Sequence, residues 1–84
     1  MKTQTSGMIE LDLHGMTKYQ AKIAIDSTLK SANKSIYRIR IVHGYHGGTE
    51  LKDMIQKDYK KHSKVLRVEL GMNLGTTDLV LREL

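Results

Sequence analysis

Ile39-Arg-Ile-Val-His-Gly-Tyr-His-Gly-Gly-Thr-Glu-Leu51 reads as a strand, a glycine-rich bend and the opening turn of a helix. The run from Ile36 to Val42 is dense in β-branched residues, with Tyr37, Ile39 and Ile41 on one face and Arg38 and Arg40 on the other. It stops at His43-Gly44. After the bend, Thr49 is placed to cap a helix whose first turn carries Glu50 and Asp53 and whose end carries Lys57, Lys60 and Lys61, a polarity that suits the helix dipole. Leu51, Met54, Ile55 and Tyr59 form its apolar stripe. An earlier segment has the same plan: Leu11-Asp-Leu-His-Gly15 is a strand ending in a second His-Gly, followed by a helix from Thr17.

Working outward, Ile9, Leu11 and Leu13 alternate with Glu10, Asp12 and His14, the pattern of a half-buried strand. Thr17-Lys-Tyr-Gln20 has the form of a capping box, and Ala21, Ala24, Ile25, Thr28, Leu29 and Ala32 follow at helical spacing. Val65 to Leu70 alternates again, with Leu66, Val68 and Leu70 expected inward. Asp78 to Arg82 is the last strand expected, with Leu79 and Leu81 inward. Residues 1–8 are polar and are expected to form a flexible N-terminal tail, leaving residues 9–84 as one domain.

The order is βαβαββ. Every strand alternates, so one sheet face is buried and the other open. Right-handed crossovers then place both helices on the same side, with the first three strands parallel and the fourth antiparallel to the third. The expected fold is an α/β two-layer sandwich: a mixed four-stranded sheet with two helices on one face. The open face would carry Glu10, Asp12, Arg38, Arg40, Arg67, Glu69 and Arg82.

Eighty-four residues suffice for one small core. The chain has no cysteine, which excludes disulfides and thiolate zinc sites and suits a reducing compartment. It has no apolar run of membrane-spanning length and no signal-peptide core, so a cytoplasmic protein is expected. The net charge of +5 favours polyanionic partners, because neutralised phosphates release counterions.

Ligands of open α/β sheets bind beyond the carboxyl ends of parallel strands, and both His-Gly corners fall there. His14 and His43 are the candidate acid–base pair, since imidazole titrates near neutral pH. Asp12 precedes His14 by two residues on the same strand face and can orient it. Gly15, Gly44, Gly47 and Gly48 allow close backbone approach to a phosphate. Lys18, Lys22, Arg38, Arg40 and Lys52 are the nearest cations, and Tyr45 can stack on a base. The plainer reading has each histidine bonding a loop carbonyl and closing its turn; two matching corners weigh against it. A minority reading has Asp12, His14, His43 and His46 hold a divalent ion such as magnesium, although no spacing here is diagnostic of metal.

Taken together, Leu11-Asp-Leu-His-Gly15, His43-Gly44 with its following glycines and Leu51, and the Gly75 to Leu81 stretch resemble the Smr (small MutS-related) domain family. The resemblance covers Glu10 to Leu84. It implies a βαβαββ fold similar to the C-terminal domain of translation initiation factor 3. It further implies nucleic-acid binding, with nicking endonuclease or ribonuclease activity in many relatives. Family roles fall on Asp12, His14, His43 and Gly44. The bend departs from the pattern: His46 stands where a glycine usually follows, and the bend is one residue longer. Relatives often carry an ATPase or other appended domain, so a protein partner supplying targeting is expected here. The function expected is an endonuclease acting on DNA or RNA; the alternative is a non-catalytic DNA- or RNA-binding module linked to DNA repair or recombination. A monomer is the expected state.

Overall fold

The computed structural model of the chain describes residues 2–44, 49–71 and 73–83. In chain order the elements are β1 (Lys2–Thr5), β2 (Met8–Asp12), α1 (Lys18–Ser31), β3 (Arg38–Val42), α2 (Glu50–Tyr59), β4 (Arg67–Leu70) and β5 (Thr76–Val80). They build one sheet in the order β1-β2-β3-β5-β4. β2 and β3 are parallel, while β5 runs antiparallel to both of its neighbours and so sits between two strands of the opposite sense.

The α/β two-layer class is as the alternation implies. Ile9, Leu11, Ile39, Ile41 and Leu79 from one sheet face pack in a single cluster with Ala21, Ile25 and Leu29 of α1 and Met54, Ile55 and Tyr59 of α2. Both helices therefore lie on one side. Six of these residues, namely Ala21, Ile25, Ile39, Ile41, Ile55 and Leu79, expose nothing, and truncating any of the isoleucines or Leu79 to alanine would cost about 2–5 kcal/mol. Helix α1 starts as its sequence demands: the Thr17 hydroxyl accepts from the Gln20 amide while the Gln20 side chain accepts from the Thr17 amide.

Four expectations are corrected. The sheet has five strands, because Lys2–Thr5 pairs antiparallel with β2 instead of forming a tail. All four of its residues are exposed, so the pairing is a matter of backbone hydrogen bonds and leaves no apolar alternation to read. The last strand begins earlier, at the β-branched Thr76 and Thr77, and is buried along its whole length by its central position. Thr49 does not cap α2; its hydroxyl donates to Asp53 at 2.9 Å. Leu66 and Leu70 are exposed, since β4 is an edge strand whose helix-side face runs out from under the helices; Val68 alone on that face is partly covered.

The open face is also not merely solvated. Asp78, at the centre of β5, is almost wholly buried beneath two arginines of β3. Arg38 Nη1 donates to its carboxylate at 2.6 Å, and Arg40 donates through Nε and Nη2 at 3.1 and 3.2 Å. Arg38 also reaches Glu69 on β4 at 3.0 Å. The hydrogen bonds to Asp78 hold both guanidiniums more firmly charged than usual.

Candidate phosphodiester site

The carboxyl ends of the parallel strands β2 and β3 bring the two His-Gly corners into contact. The Leu13 amide donates to the Val42 carbonyl at 2.8 Å, tying one corner to the other. Leu13-His-Gly-Met16 then closes a turn, the Met16 amide donating to the Leu13 carbonyl at 3.1 Å. Gly15 occupies the third position with φ +83°, which a type II turn reserves for glycine. His14 is thereby carried at the tip of the turn.

Gly44 also has a positive φ, +75°, and a Cβ built there would stand 3.3 Å from Cβ of His14. The second corner thus gives the His14 side chain its space. Both amides of His43-Gly44 donate to the Gly75 carbonyl, at 2.9 and 3.0 Å, which fixes the corner against the start of β5. The Gly44 amide is accordingly engaged within the fold and does not point at a ligand.

The two imidazoles have different surroundings. His14 is 70% exposed, and its Nδ1 lies 2.5 Å from a carboxylate oxygen of Asp12, which also accepts from the His14 amide at 3.2 Å. That carboxylate fixes the ring: Nδ1 carries the proton it donates, and Nε2 of the neutral ring keeps its lone pair for another partner. The hydrogen bond from the His14 side chain lowers the Asp12 pKa below its ordinary value. Asp12 is a charged group at the working pH of any ordinary cell.

His43 is buried, and both its nitrogens are occupied. Nδ1 donates to the Gly44 carbonyl at 2.8 Å, and Nε2 meets the hydroxyl of Thr77, itself wholly buried on β5, at 2.8 Å. The reason is parity: residue 43 follows Ile39 and Ile41 onto the helix-side face, whereas His14 follows Asp12 onto the open one. The corners meet, but the rings are presented to different sides of the sheet. Replacing His43 by alanine is expected to lower stability by about 1–3 kcal/mol by orphaning the Thr77 hydroxyl. A chemical-denaturation midpoint unchanged from the parent chain would contradict that role.

The remaining candidates are scattered. Tyr45, His46, Gly47 and Gly48 lie outside the described residues. Arg40 is bound to Asp78 on the open face and is one-third exposed. Lys18, with Lys22 and Lys57, lines a groove between the starts of α1 and α2 that also contains Glu50, Asp53 and Asp58. Lys52 borders a smaller hollow with Asn73, Leu74 and Thr76. Among the described residues no group of three acidic, histidine or cysteine side chains is gathered to hold a metal ion. No helix among them is long and apolar enough to cross a membrane. Sequence reading missed Gly75 and Thr77, which lock His43-Gly44 in place. Thr77 could have been found from its β-branched neighbourhood, since it faces the same side as Leu79.

A family model described as the Smr domain matches residues 11–74, a span that contains both corners. The chain belongs to the Smr domain family. Over 56 residues it is 43% identical to the ribosome rescue factor SmrB of Pasteurella multocida (strain Pm70), covering 66% of this chain and 33% of that protein. The chain thus matches about a third of that relative's length. The crystal structure of the Smr domain of Thermus thermophilus MutS2 has the same fold, with a TM-score of 0.76 at 25% identity over 88% of this chain and 98% of that one. The α/β fold is therefore shared with that Smr domain, and in this chain the Asp12–His14 turn sits at the rim of the sheet.

Proposed function

We propose that the chain binds nucleic acid at the joined His-Gly corners and cleaves a phosphodiester there, with His14 as the acid–base group. One observation carries the reading: an imidazole 70% exposed whose Nδ1 is held by a carboxylate at 2.5 Å. Nε2 accepts the proton of the attacking oxygen, either water or a ribose 2′-hydroxyl, as that oxygen bonds to phosphorus and the ester bond to the leaving oxygen breaks. Asp12 keeps the tautomer and stabilises the imidazolium that forms. The imidazolium then returns its proton to the leaving oxygen. His43 supports this chemistry as a positioning residue that holds Gly44 beneath His14.

RNA is the substrate favoured. The SmrB relative is a ribosome rescue factor, and ribosomes present RNA. The net charge of +5 supports a polyanionic partner independently. Binding of a short structured RNA should weaken steeply with salt, with a log–log slope set by the number of phosphates contacted. The deciding experiment is a cleavage assay on structured RNA and on supercoiled plasmid, each with magnesium and with chelator. RNA cleavage with intact plasmid supports the reading. Nicked plasmid with intact RNA would replace RNA by DNA. Salt-sensitive binding without turnover on either substrate would leave a non-catalytic module.

A further inference from the structure

We infer that β4 is a pairing edge for a second copy of this chain. Among the described residues β4 pairs only with β5, leaving its other side open. The Gly71 amide donates to the Thr76 carbonyl, and the β4–β5 register steps from there in twos. Arg67 and Glu69 therefore direct their backbone groups at β5, and Val68 and Leu70 direct theirs at the open edge. The opposite edge of the sheet differs: β1 presents only Lys2, Thr3, Gln4 and Thr5, all exposed and polar. At β4 the exposed Arg67 is flanked by large apolar side chains, Leu66 at 53%, Leu70 at 69% and, in the next loop, Leu74 at 72%. Native sheets usually guard such an edge.

The occupant is indicated by the strand's own order. Leu66-Arg-Val-Glu-Leu70 reads the same from either end in apolar character, and its two charges are of opposite sign. Laid antiparallel on itself about a two-fold axis at Val68, Arg67, which donates to Glu69 of its own chain at 2.7 Å, also faces Glu69 of the second copy, Glu69 faces Arg67, and Leu66, whose amide donates to the Val80 carbonyl, faces Leu70. Directly opposed ion pairs and apolar pairs are the contacts that stabilise antiparallel strands. Any one-step slip of this pairing sets Arg67 or Glu69 opposite an apolar residue. Beside the edge is a hollow of about 470 Å³ lined by Gln56, Lys60, Leu66, Val68 and Leu70 among others. The Gln56 side-chain nitrogen is buried there with no hydrogen-bond partner among the described residues.

A two-fold axis normal to the sheet keeps the helices of both copies on one side and yields a sheet of ten strands. The two His14 turns then lie at opposite ends of it, displaced sideways by seven strand spacings, about 34 Å. The inference is independent of the proposed cleavage and concerns a different edge of the sheet.

Sedimentation of the nucleic-acid-free chain over a concentration series tests it. The weight-average mass should rise from 9.6 kDa toward twice that value. Arg67→Glu or Glu69→Arg alone sets like charges opposite each other twice per dimer and should raise the dissociation constant at least about 10-fold. Mixing the two variants in equal amounts restores opposite charges at both positions and should recover the dimer. Far-UV circular dichroism checks that each variant is folded. A chain that stays at 9.6 kDa up to about 1 mM overturns the inference. So does a dimer indifferent to both substitutions, or a mixture of folded variants that fails to recover.

Discussion

With His14 replaced by alanine, cleavage of structured RNA is expected to fall by about 10²–10⁴-fold, the range supplied by a positioned general acid–base group. The fold should not change with it. His14 is 70% exposed at the tip of a turn whose bonds are made by the Leu13 and Met16 backbone, so its truncation should shift stability by no more than about 0.5 kcal/mol. Affinity for RNA should stay close to that of the parent, because the imidazole acts on the reacting atoms and the cations supply attraction. The contrast with His43→Ala is informative: that variant loses stability first, and activity only as the corner loosens. Asp12 adds a pH signature. Its folded-state pKa is depressed, so its contribution to stability is present above the ordinary carboxylate value of 3.8 and is lost as pH falls through the lowered one. Loss of cleavage on acidification above the ordinary carboxylate value would therefore not report Asp12. Cleavage by His14→Ala within about threefold of the parent would remove the residue from the chemistry.

The largest effect on stability is expected at Asp78. Its side chain is 3% exposed and neutralises guanidiniums that are themselves 23% and 33% exposed. Asp78→Ala leaves two half-covered cations facing each other with no anion between them. Removing one member of a buried pair costs about 3–5 kcal/mol; partial exposure of both arginines reduces this to about 2–3 kcal/mol. For a domain of 84 residues that corresponds to a fall in Tm of about 10–20 °C. Asp78→Asn keeps one acceptor and should recover part of the loss. Glu69 offers Arg38 a second anion, so Arg40 is the cation more fully stranded. A melting curve lowered by less than about 3 °C would show that solvent, and not Asp78, carries those charges.

Much of this fold is written in short-range patterns. The α1 capping box, the apolar stripes of both helices and the alternation of β2 and β3 each follow from residues within one turn or one pleat. What those patterns could not supply is strand order. Alternation identifies a strand's inner face but says nothing of its neighbours, so the central place of β5 was not legible. Asp78 consequently stood only as the first residue of the last expected strand. Its signal was present, since Arg38 and Arg40 share the open face of one strand and an acid sits at the matching parity of another. At the site, the meeting of the two corners was legible from the repeated strand–His-Gly–helix plan. The different fates of the two rings were legible too, had parity been carried one step further: His43 shares the face of Ile39 and Ile41, and His14 does not. β1 was out of reach, because a strand held by backbone bonds alone leaves its side chains free to be anything soluble.

The insertion of β5 between β3 and β4 has a bearing on how the molecule comes into being. Apart from the Arg38–Glu69 contact, β3 and β4 are joined in the sheet through residues 76–80, which leave the ribosome after every other element of the sheet. A nascent chain lacking them can form helices and the β1–β2–β3 ribbon, yet Asp78 is still missing from under its arginines and Thr77 from beside His43. Closure is a late, long-range event, slow by the measure of contact order. The rim that carries the joined corners is therefore completed in a single step when β5 is added, and not gradually along the chain.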